Sequence, residues 1–199
     1  MFELAEYIGI IAFAMSGFFV ASRANLDLLG VLISTFLTAL GGGIIRDISV
    51  DTTPFTFSHN YPGIIVLSVM IILILFKFHR RKSIENKLLF ILSDSIGLIS
   101  FSISGALIAL EFKLNFTGVL AISFITAVGG GIVRDVIINE VPFVFKSGFY
   151  GTVALLMASC VYIFDMLNLI NIASLTTLFT FGVILRLIAF YKKWSIPLK

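Results

Sequence analysis

Charge is what this 199-residue chain has least of: Asp, Glu, Lys and Arg together make up 13% of it, about half the share in soluble domains. There is one cysteine, Cys160, and it lies inside an apolar run. No intramolecular disulfide can form, and a thiol there is a packing residue. The two histidines, His59 and His79, have no metal-ligand partners at suitable spacing. Signatures of a phosphate loop or of a nucleophile beside a base are missing as well. No enzyme, metal, other cofactor or nucleic-acid partner is therefore expected.

Apolar residues make up 59% of the chain and its mean hydropathy is +1.10. At 21.9 kDa there is too much surface for the volume to hide such a content from water. That excludes a soluble globular domain, and disorder demands the opposite composition. The apolar runs are continuous rather than alternating, which excludes a small barrel, and the length excludes a large one. A polytopic helical membrane protein remains. The N-terminal MFELAE carries Glu3 and Glu6 where the basic region of a signal peptide would stand. The first run is therefore expected to stay as a permanent span.

Seven runs are long enough to cross a bilayer: Leu4–Ser22, Leu28–Val50, Pro62–Phe78, Leu88–Leu110, Phe116–Ile138, Phe149–Phe164 and Ile172–Tyr191. The loops between them are short, so residues 1–199 read as one transmembrane domain. With an odd number of spans the termini face opposite sides. The C-terminal side collects Arg23, Lys77, Arg80, Arg81, Lys82, Lys87, Lys146, Lys192, Lys193 and Lys199, against Lys113 on the other side. By the positive-inside rule the C-terminus is cytoplasmic and the N-terminus outside. The Lys77–Lys87 loop is read as this topology signal, with an anionic-lipid or regulatory site as the lesser reading.

The chain is duplicated. TALGGGIIRDI at Thr38–Ile48 returns as TAVGGGIVRDV at Thr126–Val136, an offset of 88. The same offset, without a gap, carries Gly9, Phe13, Ser16, Gly17, Gly30, Pro54, Phe55 and Phe57 onto identical residues. Repeat one covers residues 4–78 and repeat two 88–165, leaving 172–191 as an extra helix. Each repeat holds three spans, and three is odd. The second copy must therefore enter the membrane from the opposite side, an inverted arrangement that puts a solute pathway at the repeat interface. The fold class expected is an all-α membrane protein with seven transmembrane helices, two inverted three-helix repeats plus a seventh helix.

Three consecutive glycines loosen a membrane helix. Gly41, Gly42, Gly43 and Gly129, Gly130, Gly131 can kink or break spans two and five around a hydrated path, or let helices pack closely. The charged pairs that follow, Arg46-Asp47 and Arg134-Asp135, are functional candidates by default, although an interfacial pair can simply snorkel to water. Gly42 lies ~21 Å along the span from Leu28 and Arg46 ~27 Å, so one Arg-Asp pair is expected near each mouth, without a cross-pair such as Arg46–Asp135. Adjacent residues point ~100° apart. The carboxylates are expected to attract cations while the arginines anchor carbonyls or gate. Ser16 and Ser104, mid-span, can line a pore or bond back to their own helix. Phe13 and Phe101 can constrict a path or pack. Glu6 and Asp94 are read as acidic residues near span starts that complement the helix dipole.

Two three-span repeats, each with Ser-Gly followed by TA-x-GGG-x-x-RD and Pro-Phe, resemble the trimeric intracellular cation channel family, and its prokaryotic members most. The resemblance covers essentially the whole chain. It implies a homotrimer with a pore in each subunit, between glycine-kinked helices two and five, permeable to potassium and selective for cations. Its partners would be monovalent cations (potassium first, then sodium) and membrane lipids. Carried over by residue, the kinks are Gly41–Gly43 and Gly129–Gly131 and the charged positions Arg46, Asp47, Arg134 and Asp135. Eukaryotic members carry Lys-Glu-Val near the first kink where this chain has Arg46-Asp47, so their phosphoinositide and calcium-store regulation is not transferred. Similar bacterial membrane proteins have been regarded as transporters of a small neutral solute such as glycine, which stands as the alternative. The location implied is the inner (plasma) membrane.

Overall fold

The apolar runs become helices because in hydrocarbon every backbone N–H and C=O must find its partner within the segment. The computed structural model describes residues 2–78, 84–146 and 149–194, with 84–86 as backbone alone. Arg80, Arg81, Lys82 and Lys199, which entered the charge count above, and His79 lie outside the described residues. Among the described residues the order is α1 (Phe2–Arg23), α2 (Leu28–Ser49), α3 (Phe55–Ser58), α4 (Tyr61–Leu75), α5 (Ile84–Glu111), α6 (Phe116–Ile137), α7 (Phe143–Lys146), α8 (Tyr150–Met166) and α9 (Ile172–Tyr191). Five of them, α1, α2, α5, α6 and α9, are long and apolar enough to cross a membrane. The apolar helices α4 and α8 have 15 and 17 residues and follow the four-residue α3 and α7.

Local chemistry sets the ends. Asp27 caps α2 by accepting from Gly30 N at 2.7 Å, and Asn115 caps α6 by accepting from Gly118 N at 2.9 Å. Asn171 and Ser174 form a reciprocal capping box at the start of α9. Left-handed residues just past the helices turn the chain: Asn25 after α1, Asp51 after α2, Lys113 after α5 and Asn139 after α6. Asn and Asp tolerate that conformation better than other side chains.

Contacts between the halves are reciprocal. Phe13 of α1 lies over Gly97 of α5, and Phe101 of α5 lies over Gly9 of α1. The two rings meet edge to face at 5.2 Å and are fully buried. These rings pack the core, the second of the two roles considered for them. With Ser16 against Asp94, the pairing makes α1 and α5 antiparallel. Likewise α1 and α2 form an antiparallel hairpin through Gly17 and Thr38, and α5 and α6 through Gly105 and Thr126. Tyr7 meets Tyr61 at 5.5 Å, Phe116 meets Tyr162 at 5.1 Å and Phe143 meets Phe190 at 6.3 Å. These contacts fix the directions of α4, α8 and α9. The start of α1 and the end of α2 share one end of the bundle. Arg23, Lys77, Lys87, Lys146, Lys192 and Lys193 gather at the other.

The glycine triplets do not break their helices. Both α2 and α6 run as α-helix through them, and among the described residues no glycine has positive φ. Of the alternatives of a kink, a break and close packing, the continuous helices do not show the break. The missing side chains serve close approach instead. At Gly42 a Cβ would strike the Thr126 carbonyl, and at Gly130 the Thr38 carbonyl. Such backbone-on-backbone packing admits weak Cα–H···O contacts. Outside, Leu28, Ile64, Leu75, Ile184 and Met166 are exposed, an apolar rim suited to lipid.

The triplets are therefore unequal. Gly42→Ala and Gly130→Ala should each destabilise the protein by about 1–3 kcal/mol or more through overpacking. Gly41→Ala and Gly131→Ala, whose added carbons would find ordinary contacts at 3.9 Å and 3.6 Å, should stay near neutral. Thermal unfolding in detergent reads the difference, and equal effects at all four positions would contradict the crossing geometry.

Candidate functional site: two buried arginine clusters

Arg46 and Arg134 are fully buried, a position a guanidinium tolerates only when paired and hydrogen-bonded. Arg46 Nη1 and Nη2 donate to Glu6 Oε2 and Oε1 at 2.7 and 3.2 Å, and Nε donates to Asp47 Oδ1 at 2.7 Å. The second Asp47 oxygen accepts from the backbone N–H of Phe55 at 2.8 Å, which ties the end of α2 to α3. The Phe2 ring stacks on the guanidinium at 5.1 Å.

The offset of 88 generates the other cluster. Arg134 Nη1 donates to Asp94 Oδ1 at 2.7 Å and Nε to Asp135 Oδ1 at 2.8 Å. Asp135 Oδ2 accepts from Phe143 N at 2.7 Å. Phe90, the counterpart of Phe2, lies 5.0 Å from Arg134 Cζ. One methylene separates the two clusters. Glu6 spans both Nη atoms of its arginine. Asp94 reaches only Nη1, which also donates to Ser16 Oγ at 2.6 Å. Among the described residues Nη2 of Arg134 is left without a hydrogen-bond partner.

Two expectations change. Glu6 and Asp94 were assigned to helix dipoles, but Asp94 sits well inside α5, where a terminal dipole no longer acts. Both are the interhelical partners of the arginines. The neighbouring residues of each Arg-Asp pair were expected to face apart, yet the long arginine side chain curls back onto its own aspartate. The arginines therefore hold carboxylates rather than carbonyls. Arg46 and Asp135 belong to separate clusters, and Ser16 of the first half hydrogen-bonds to Arg134 of the second. The serines diverge: Ser16 joins a cluster, whereas Ser104 bonds back to Phe101 O at 3.4 Å.

Arg186 of α9 carried no role in the sequence reading. It is 1% exposed, and its guanidinium carbon lies 4.9, 5.5 and 5.7 Å from the ring centroids of Tyr150, Phe143 and Phe190. Among the described residues its Nε and Nη1 have no hydrogen-bond partner. A charged residue within an apolar span was the one available signal. Beside Arg134 a recess of about 290 Å³ opens, walled by Arg23, Lys87, Phe90, Asp135, Glu140 and Lys146 among others.

Comparison with known proteins gives consistent results. The family model described as Glycine transporter matches residues 3–80 and 91–166, one match on each half. The UPF0126 membrane protein YvgT of Bacillus subtilis is 36% identical over 200 residues, covering 98% of this chain and 95% of that protein. A prokaryotic TRIC channel crystallised in 0.5 M KCl superposes with a TM-score of 0.89 at 30% identity, with 98% of each chain covered. The TRIC trimeric intracellular cation channel orthologue from Rhodobacter sphaeroides gives 0.88 at 27% identity, covering 97% of this chain and 98% of that one.

Unpairing a buried arginine should cost far more than losing a back-bonded hydroxyl. Glu6→Gln is expected to destabilise by about 3–5 kcal/mol. Ser16→Ala, which removes a bond to a charged group, should cost about 1.5–3 kcal/mol, against about 1 kcal/mol or less for Ser104→Ala. Denaturation of the three variants in one detergent checks the order. Equal losses for the two serines would contradict the cluster.

Proposed function

The chain belongs to the UPF0126 family matched by the glycine-transporter model, and is a prokaryotic member of the trimeric intracellular cation channel family; from that premise we propose that it is a potassium-permeable monovalent cation channel. The observation that carries this reading is likeness along the whole chain to a solved cation channel, with 98% of each chain covered. In this reading α1, α2, α4, α5, α6, α8 and α9 all cross the membrane as two inverted three-helix repeats and a seventh helix. The N-terminus is outside, the C-terminus is in the cytoplasm, and three copies assemble in the inner membrane among its lipids. Each subunit holds its own pore, and no enzymatic step is involved.

The path runs along the α2–α6 crossing. Gly41, Gly42, Gly43, Gly129, Gly130 and Gly131 bring the two backbones together, Ser16 supplies a hydroxyl at the Arg134 cluster, and Ser104 is its counterpart on α5. Arg46-Asp47 and Arg134-Asp135 guard the two ends. Because each carboxylate is engaged by an arginine, cations meet a hydrogen-bonded cluster of small net negative charge rather than a free carboxylate. That suits conduction, which needs sites weak enough to leave. A coupled carrier of glycine would instead use a carboxylate free to bind and release a proton or sodium ion. Glu6, Asp47, Asp94 and Asp135 are all engaged by arginine, which disfavours that alternative.

The purified protein in a planar bilayer under a KCl gradient should show discrete openings that reverse near the potassium equilibrium potential. A silent bilayer, together with saturable glycine uptake into vesicles, would replace the channel reading with the transporter.

A further inference from the structure

The duplication makes the two ends of the proposed path nearly equivalent, and beyond the Glu6–Asp94 and Ser16–Ser104 differences one added charge breaks the equivalence. At the first cluster one arginine, Arg46, faces two carboxylates, Glu6 and Asp47. At the second, Arg134 faces Asp94 and Asp135, but α9 adds Arg186. This helix has no counterpart in the repeat, so nothing balances the added charge at the first cluster. Arg186 lies against the ring of Phe143, whose own N–H donates to Asp135 of the second cluster, and against the ring of Tyr150. An arginine cannot be deprotonated in a protein, so the charge is permanent. Aromatic faces hold it, and no carboxylate among the described residues bonds to it.

We propose that Arg186 makes conduction directional: it is a buried fixed cation that cancels the negative excess of one cluster and leaves that of the other. The inference rests on the channel reading. Cations gather at the end with the net negative cluster and are depleted at the end with the balanced one, so they enter more readily from the Arg46 side. Surface cations at the Arg134 end, Arg23 and Lys87, act in the same sense, while Lys146 is offset by Glu140 at 3.9 Å. Salt separates the two contributions. Exposed charges are screened over ~10 Å at 0.1 M and ~3 Å at 1 M, whereas a buried charge is screened much less.

Single-channel currents at equal and opposite voltages, in symmetric KCl, give a rectification ratio for each channel whatever its orientation in the bilayer. The ratio should persist from 0.1 M to 1 M KCl in the unaltered protein. It should move toward unity by roughly twofold in Arg186→Gln, a modest effect for removal of one charge from a focusing field. Arg186→Lys should retain it. A ratio that disappears at 1 M KCl would assign directionality to the surface cations and overturn the proposal. So would an Arg186→Gln channel that rectifies as before. If Arg186→Gln does not fold, the salt series on the unaltered protein decides alone. Absence of openings in the unaltered protein overturns the channel reading itself and takes the inference with it, an outcome distinct from openings without rectification.

Discussion

Burying a guanidinium is the constraint around which the bundle is organised. Each of Arg46 and Arg134 would carry an uncompensated charge unless carboxylates came to it from two directions. One comes from the next residue along its own helix. The other must come from the neighbouring long helix, α1 for Arg46 and α5 for Arg134. That requirement fixes the register of the α1–α2 and α5–α6 hairpins as firmly as apolar packing does. The second aspartate oxygen then reaches forward to the backbone of Phe55 or Phe143, so the turn into the next helix is oriented by the same charge. Apolar side chains surround the result, but they are interchangeable in a way that these partners are not.

The glycine crossing and the charge clusters depend on each other. Packing of α2 on α6 without side chains at Gly42 and Gly130 brings the two hairpins together, and the Ser16–Arg134 bond joins them across the same junction. A hydroxyl from the first half completes a site that belongs to the second. The difference between Glu6 and Asp94, a single methylene, accounts for why the bond exists on one side only.

The duplication was legible in the residues, and with it most of the local architecture. Every partner of Arg46, from Phe2 to Phe55, has its counterpart 88 positions on. The ion pairs were not legible, although the same offset linked Glu6 to Asp94. Both were judged by their nearness to span starts, whereas their role depends on what lies across the hairpin. The course of the backbone through the triplets was not legible either. Glycine permits both a break and a tight crossing, and only the partner helix decides between them. Arg186 escaped for a different reason: α9 stands outside the repeat, so no matching position drew attention to it.

The α2–α6 crossing also bears on how the chain can change by descent. Where two side chains meet, a loss on one partner can be repaired by a gain on the other, and such pairs leave correlated substitutions. At Gly42 and Gly130 each helix presents its bare backbone to a carbonyl of the other. There is nothing smaller than hydrogen to substitute, and a carbonyl cannot be trimmed. A genetic suppressor of damage at this junction must therefore arise elsewhere, by shifting whole helices. The steric constraint therefore falls on the junction itself rather than on the surfaces around it.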